Sequence, residues 1–118
     1  MKVAVMGYGT IGSGVVEVLR INKDRIAERA GEPVEVKYVL DLREFPGDPM
    51  EDKIVHDYQV IANDPEVGIV VETMGGVEPA FTFVKAMLEA GKQVTTSNKA
   101  LLAAKCAELI RIAREKNV

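Results

Sequence analysis

The chain has one cysteine, Cys106, and one histidine, His56, among 118 residues. A single thiol excludes an internal disulfide, and a lone imidazole with no cysteine or second histidine nearby leaves a metal centre little to build on. Cys106 falls in a helical apolar pattern and reads as a small buried hydrophobe, while His56 reads as a surface residue. No apolar run reaches the length that spans a bilayer, and the start lacks a basic region ahead of an apolar segment, so no membrane span or secretory leader is expected. A basic excess is missing too. With a net charge of −3 and scattered Lys and Arg, nothing suggests a nucleic-acid partner. The cytoplasm is the expected compartment. What remains is 47% hydrophobic and 28% charged, the balance of a globular chain, and at this length it forms one domain with a substantial core.

The opening run Val3-Ala4-Val5-Met6 has no polar alternation, which suits a parallel strand covered on both faces. It breaks into Gly7-Tyr8-Gly9-Thr10-Ile11-Gly12, a Gly-x-Gly-x-x-Gly turn leading into an amphipathic stretch. Gly7 lets the chain turn off the strand, Gly9 omits a side chain that would block a pyrophosphate, and Gly12 lets the helix pack close to the sheet. The N–H groups of Thr10, Ile11 and Gly12 then lie at a helix N-terminus, where free donors and the positive end of the dipole favour phosphate. Strand, glycine turn and helix in that order predict a dinucleotide site.

Ile11, Val15, Val18, Leu19 and Ile26 follow a helical spacing and predict one crossover helix, closed by Gly31 and Pro33. Val34 to Leu40 is the second strand, with Asp41 at its tip. An acidic side chain there accepts hydrogen bonds from the adenosine ribose and repels a 2′-phosphate, favouring NAD. Arg43, two residues on, can pair with that phosphate, favouring NADP, so the choice stays open. Phe45 to Pro49 reads as a loop, Lys53 to Val55 as a short third strand and Asp57 to Asn63 as a brief helix. Val67 to Val71 is another buried strand, followed by a polar, glycine-rich loop, Glu72-Thr73-Met74-Gly75-Gly76.

Pro79 fits the first turn of a helix striped by Ala80, Phe81, Val84, Met87 and Leu88 and ended by Gly91. Lys92 to Thr96 is the last strand, and Ser97-Asn98-Lys99 stands at its tip before a helix with Leu102, Cys106, Leu109, Ile110 and Ala113 facing inward. Asn98 can cap that helix. Lys99, at the mouth of the crevice, can instead hold a phosphate, an amide or a substrate oxygen. The alternation of strands and helices predicts the α/β class: a doubly wound, mostly parallel sheet with helices on both faces, whose polar strand ends meet where such sheets bind ligands.

Three segments together resemble the nucleotide-binding part of homoserine dehydrogenases. They are Gly7-Tyr8-Gly9-Thr10-Ile11-Gly12-Ser13-Gly14-Val15, then Val70-Val71-Glu72-Thr73-Met74-Gly75-Gly76 with Glu78-Pro79-Ala80, and Ala90-Gly91-Lys92-Gln93-Val94-Thr95-Thr96-Ser97-Asn98-Lys99-Ala100-Leu101-Leu102. Thr96-Ser97 stands where that family usually has Thr-Ala. The resemblance implies a Rossmann-like fold and the reversible reduction of aspartate 4-semialdehyde to homoserine with NAD(P)H, on the route to threonine and methionine. It implies that Gly7, Gly9, Thr10, Ile11 and Gly12 hold the pyrophosphate, Asp41 or Arg43 the adenosine ribose, and Thr73 the nicotinamide side, with Gly75 also among the cofactor-binding residues. Lys99 would face the nicotinamide or the reacting carbonyl and support charge developing on the substrate oxygen. The family's remaining proton-handling residues lie in a substrate domain expected to fall outside these residues. Residues 1–118 are then the NAD(P)-binding Rossmann domain, inactive by itself, and a homo-oligomer is expected of the intact protein. Two other readings stay open: another dehydrogenase of an aspartate-derived amino acid, and a nucleotide-sensing module in which Lys99 only starts a helix.

Overall fold

A computed structural model describes all 118 residues. The chain runs β1 (Lys2–Met6), α1 (Thr10–Ile21), α2 (Lys23–Ala30), β2 (Glu35–Leu40), a single 3-10 turn (Glu51–Lys53), β3 (Ile54–Val55), α3 (Tyr58–Ala62), β4 (Val67–Glu72), α4 (Ala80–Glu89), β5 (Gln93–Thr96) and α5 (Lys99–Lys116). The strands form one sheet in the order β3-β2-β1-β4-β5, and every pairing is parallel. The chain therefore builds outward from β1 on one side and then crosses to build outward on the other. That reversal leaves a crevice over the C-terminal ends of β1 and β4.

The lack of alternation in β1 has its cause in the two faces of the sheet. Ala4 and Met6 pack into the larger core beneath α4 and α5, with Val70, Val84, Met87, Leu101 and Ile112. Val5 points the other way, to Val16 of α1 and Val39 of β2. Val5 and Met6 each contribute about 1.5–3 kcal/mol relative to exposure, and four of the five residues of the strand that carries the glycine turn are buried. Register aligns the strand tips in one row: Met6 lies beside Leu40 and Glu72, and Glu72 beside Thr96.

Several expectations are corrected. The single crossover helix is two, because Asn22 closes α1 with both its N–H and its side-chain amide on the Val18 carbonyl. Its inward line is Gly12 and Val16, whereas Ile11 and Val18 are exposed. The close approach of Gly12 to the turn rotates the helix by one position from the apolar spacing. In α5 the buried residues are Leu101, Leu109 and Ile112, so Leu102, Cys106 and Ile110 lie outside. This helix carries apolar residues on all sides, and spacing alone does not select its packed face. Glu72 is not a loop residue but the last of β4, and it is buried.

Lys92 precedes β5 rather than opening it. Its buried amine reaches the carbonyls of Asp64 (2.6 Å) and Val67 (2.8 Å). His56 is exposed as expected, with Nδ1 2.6 Å from the Asp41 carbonyl and Nε2 3.0 Å from Glu44. No helix is long and apolar enough to cross a membrane.

Candidate functional site: a crevice over the strand ends

The three glycines of the first turn behave differently. Gly7 has φ +106, and a Cβ there would press on Met74 and Thr73 at 3.0 Å. A Cβ on Gly12 would lie 1.8 Å from the Gly7 carbonyl oxygen, so only glycine lets α1 start this close to the strand. Gly9 has ordinary extended backbone, and a Cβ on it would meet nothing within 4 Å. The space above Gly9 is thus open, and the fold itself does not demand glycine there. No side chain caps α1, whose first backbone bond runs from the Ser13 N–H to the Gly9 carbonyl at 2.9 Å. The N–H groups of Thr10, Ile11 and Gly12 precede that bond and are available to an anion.

Thr73 ties the turn to β4. Its hydroxyl lies 3.0 Å from the Met6 carbonyl and 2.9 Å from that of Gly7, and donates its one hydrogen between them. The side chain expected on the nicotinamide side therefore also holds the glycine turn in place.

Two cavities meet at Thr73 and Met74. One, of about 440 Å³, is lined by Gly7, Tyr8, Gly9, Asp41, Arg43 and the apolar Leu40, Leu42, Met74, Pro79 and Phe83. The other, of about 300 Å³, holds Glu72, Gly75, Ser97, Asn98 and Lys99. They flank the glycine turn, so a long ligand crossing it would place one half in each.

In the first cavity Asp41 and Arg43 are one unit. The guanidinium donates Nε–H to Oδ1 (3.0 Å) and Nη2–H to Oδ2 (2.9 Å), and the backbone N–H groups of Arg43 and Tyr8 add 2.9 and 3.0 Å bonds. The Arg43 guanidinium, with help from both N–H groups, holds the Asp41 carboxyl well below the usual range, against the opposing effect of its burial. Arg43 also lies 5.1 Å from the Phe45 ring, which meets Tyr8 edge-on. The Tyr8 hydroxyl donates to Asp48 at 2.8 Å; burial first, and then this bond, push its pKa up to about 12. The sequence alone does not reveal Tyr8 as the link between the glycine turn and the loop carrying Arg43.

In the second cavity, Asn98 caps α5 as expected, accepting the Leu101 N–H at 3.1 Å, which sets Lys99 as the first helical residue, exposed at the rim. Glu72 and Thr96 are the residues that sequence reasoning missed here. Their one signal was a carboxylate closing an apolar strand run, where a buried position is due.

An open space over Gly9, free helix N–H groups and paired polar strand ends on either side fit a dinucleotide, and they define a dinucleotide-binding domain of the doubly wound α/β class. The chain belongs to the homoserine dehydrogenase NAD-binding domain family, whose model matches residues 7–118. It is 40% identical over 119 residues to a homoserine dehydrogenase of Pseudomonas aeruginosa, covering 100% of this chain and 27% of that protein. With the enzyme of the same name from Corynebacterium glutamicum the identity is 37%, over 98% of this chain and 26% of that one. The crystal structure of S. aureus homoserine dehydrogenase superposes with a TM-score of 0.90 at 32% identity, over 100% of this chain and 31% of that one. The chain thus spans under a third of the length of these relatives. Its cofactor class is NAD(P).

Proposed function

We propose that residues 1–118 form the cofactor-binding domain of a homoserine dehydrogenase, an enzyme interconverting aspartate 4-semialdehyde and homoserine, with the substrate-binding part lying elsewhere in the intact protein. The observation that carries this is the convergence of the glycine turn, the Asp41–Arg43 pair and Lys99 on one crevice. Gly7, Gly9, Thr10, Ile11 and Gly12 hold the pyrophosphate, Asp41 and Arg43 the adenosine ribose, and Thr73 and Gly75 the nicotinamide side. Bound there, a reduced nicotinamide supplies the hydride that turns an aldehyde into an alcohol. Lys99 presents a positive charge at the rim, where negative charge grows on the carbonyl oxygen. The reading extends to a small amino-acid substrate, a homo-oligomeric intact enzyme and the cytoplasm as its compartment.

The bidentate pair bears on the choice of cofactor. A free Asp41 would repel a 2′-phosphate; with Arg43 on both its oxygens that charge is compensated, while the Arg43 side chain keeps 63% of its surface exposed. The domain accepts NADPH as well as NADH. The test is a fluorescence titration of the chain with both, beside Gly9→Val and Arg43→Ala. Gly9→Val is expected to abolish binding of either while leaving the fold intact. Arg43→Ala should weaken NADPH about tenfold more than NADH, the value of one lost charge-assisted contact. Unimpaired binding by Gly9→Val would remove the phosphate role of this turn.

A further inference from the structure

Beside the second cavity, hydrogen bonds joined through the Gly75–Gly76 backbone form a closed ring around a buried carboxylate. Glu72 is 1% exposed. Its Oε1 accepts the N–H groups of Met74, in a short bond, and of Gly75 at 3.4 Å. Its Oε2 accepts the Thr96 hydroxyl at 2.6 Å. The Thr96 oxygen in turn accepts the Asn98 N–H at 3.0 Å, and the Asn98 side-chain amide donates to the Gly76 carbonyl at 2.7 Å. The path leaves the tip of β4, crosses to the tip of β5 and returns to the loop after β4.

The ring has one polarity. Every group presented to Glu72 is a donor, and a carboxylate accepts at both oxygens. Because the Thr96 hydrogen goes to Glu72, the Thr96 oxygen is free to receive Asn98, and Asn98 is then placed both to cap α5 and to hold Gly76. Gly75 and Gly76 have φ of +95 and +77, a backbone path that the Glu72 and Asn98 bonds pin at either end. A glutamine at 72 that keeps its oxygen on the Met74 and Gly75 N–H groups would turn an N–H donor toward Thr96, whose hydroxyl hydrogen would then have no acceptor on residue 72. Such a network buried at a strand end fixes one arrangement of the two loops it joins.

We propose that Glu72 is a positioning residue for the nicotinamide half of the site, its carboxylate acting through Thr96 and Asn98 to lock the Thr73–Gly76 loop against the start of α5, where Lys99 stands. This rests on the cofactor-domain reading above. The Asp41–Arg43 end of the crevice is not part of the ring, so the two halves of a bound dinucleotide respond differently when the ring is broken.

The experiment compares NADH with ADP-ribose, which lacks the nicotinamide, in calorimetric titrations of this chain and of Glu72→Gln, Thr96→Val and Thr96→Ser. Glu72→Gln and Thr96→Val should each weaken NADH about tenfold and leave ADP-ribose within about twofold, and Thr96→Ser, which keeps the hydroxyl, should restore NADH to near the parent value. Equal weakening of both ligands would mean general loosening and would overturn the proposal, as would unchanged NADH affinity. If Glu72→Gln does not fold, the Thr96→Val and Thr96→Ser pair decides alone. A parent chain that binds neither ligand would overturn the cofactor-domain reading itself, an outcome distinct from binding that the variants fail to discriminate.

Discussion

Gly12 and Gly14 sit two residues apart on the same helix and call for opposite outcomes on substitution. A Cβ on Gly12 overlaps the Gly7 carbonyl and also comes within 2.9 Å of the Thr73 hydroxyl oxygen, so the turn or the helix has to move. Gly12→Ala should cost at least about 2 kcal/mol in urea unfolding. Gly14 has nothing within 4 Å of its would-be Cβ, and Gly14→Ala should stabilise by about 0.5–1 kcal/mol through the lower entropy of the unfolded chain. The same measurement on both separates a steric glycine from an incidental one. The spacing of the motif was legible in the sequence, and so were the separate duties of Gly7 and Gly12. The partner of each polar group was not. Asp41 and Arg43 read as rival ribose contacts and turn out to be bonded to each other, because a two-residue separation around a turn brings a guanidinium back onto its neighbour's carboxylate.

At the scale of elements, the order and type of strands and helices followed from where apolar runs met Gly, Pro and Asn, whereas the faces of α1 and α5 did not. Burial is decided by what a helix packs against, and Ala-rich α5 offers several near-equivalent faces, so its seam is set by α4 rather than by its own periodicity. Lys92 makes the same point at the edge of the sheet. A lysine next to a strand reads as solvent-facing, yet here the amine joins the turn before β4 to the start of β5, and burial lowers its pKa. Lys92→Met removes the donor while keeping the stem, leaving the Asp64 carbonyl only its 3.2 Å bond from the Val67 N–H and taking the amine from the Val67 carbonyl. It should lower stability by about 1–3 kcal/mol. Lys2→Met, which removes only an exposed pair with Glu35, should stay within about 0.5 kcal/mol of the parent. Denaturant midpoints of the two variants measured side by side would show whether β4 and β5 depend on this one amine.

For the whole molecule, carboxylates tie both ends of the sheet to the helices and loops around them, and acid should loosen both together. At the C-terminal end, Asp41 is held by Arg43 and by the N–H of Tyr8 on the glycine turn. At the opposite end, Asp64 accepts Lys37 at 2.6 Å, the Tyr38 hydroxyl at 2.6 Å and the Glu66 N–H at 2.9 Å, and Lys37 followed by Tyr38 holds its carboxyl below the usual range. Both groups bind protons less readily folded than unfolded. Their stabilising effect is therefore fully present above the unfolded carboxylate value of 3.8 and is lost as pH falls through that value toward the lower folded one. Tyr8 works in the other direction: raised from 10.0 to about 12, it contributes below pH 10 and ceases to as pH climbs through that interval. Stability measured by urea unfolding across pH should thus fall on both flanks. Asp64→Asn should be less stable than the parent at neutral pH and show a shallower loss in acid; because Asp64 also raises the pKa of Lys37 and of the Tyr38 hydroxyl, its loss at alkaline pH should be shallower as well. Tyr8→Phe should flatten only the alkaline flank. An acid flank as steep in Asp64→Asn as in the parent would mean that Asp64 does not couple the base of the sheet to protonation.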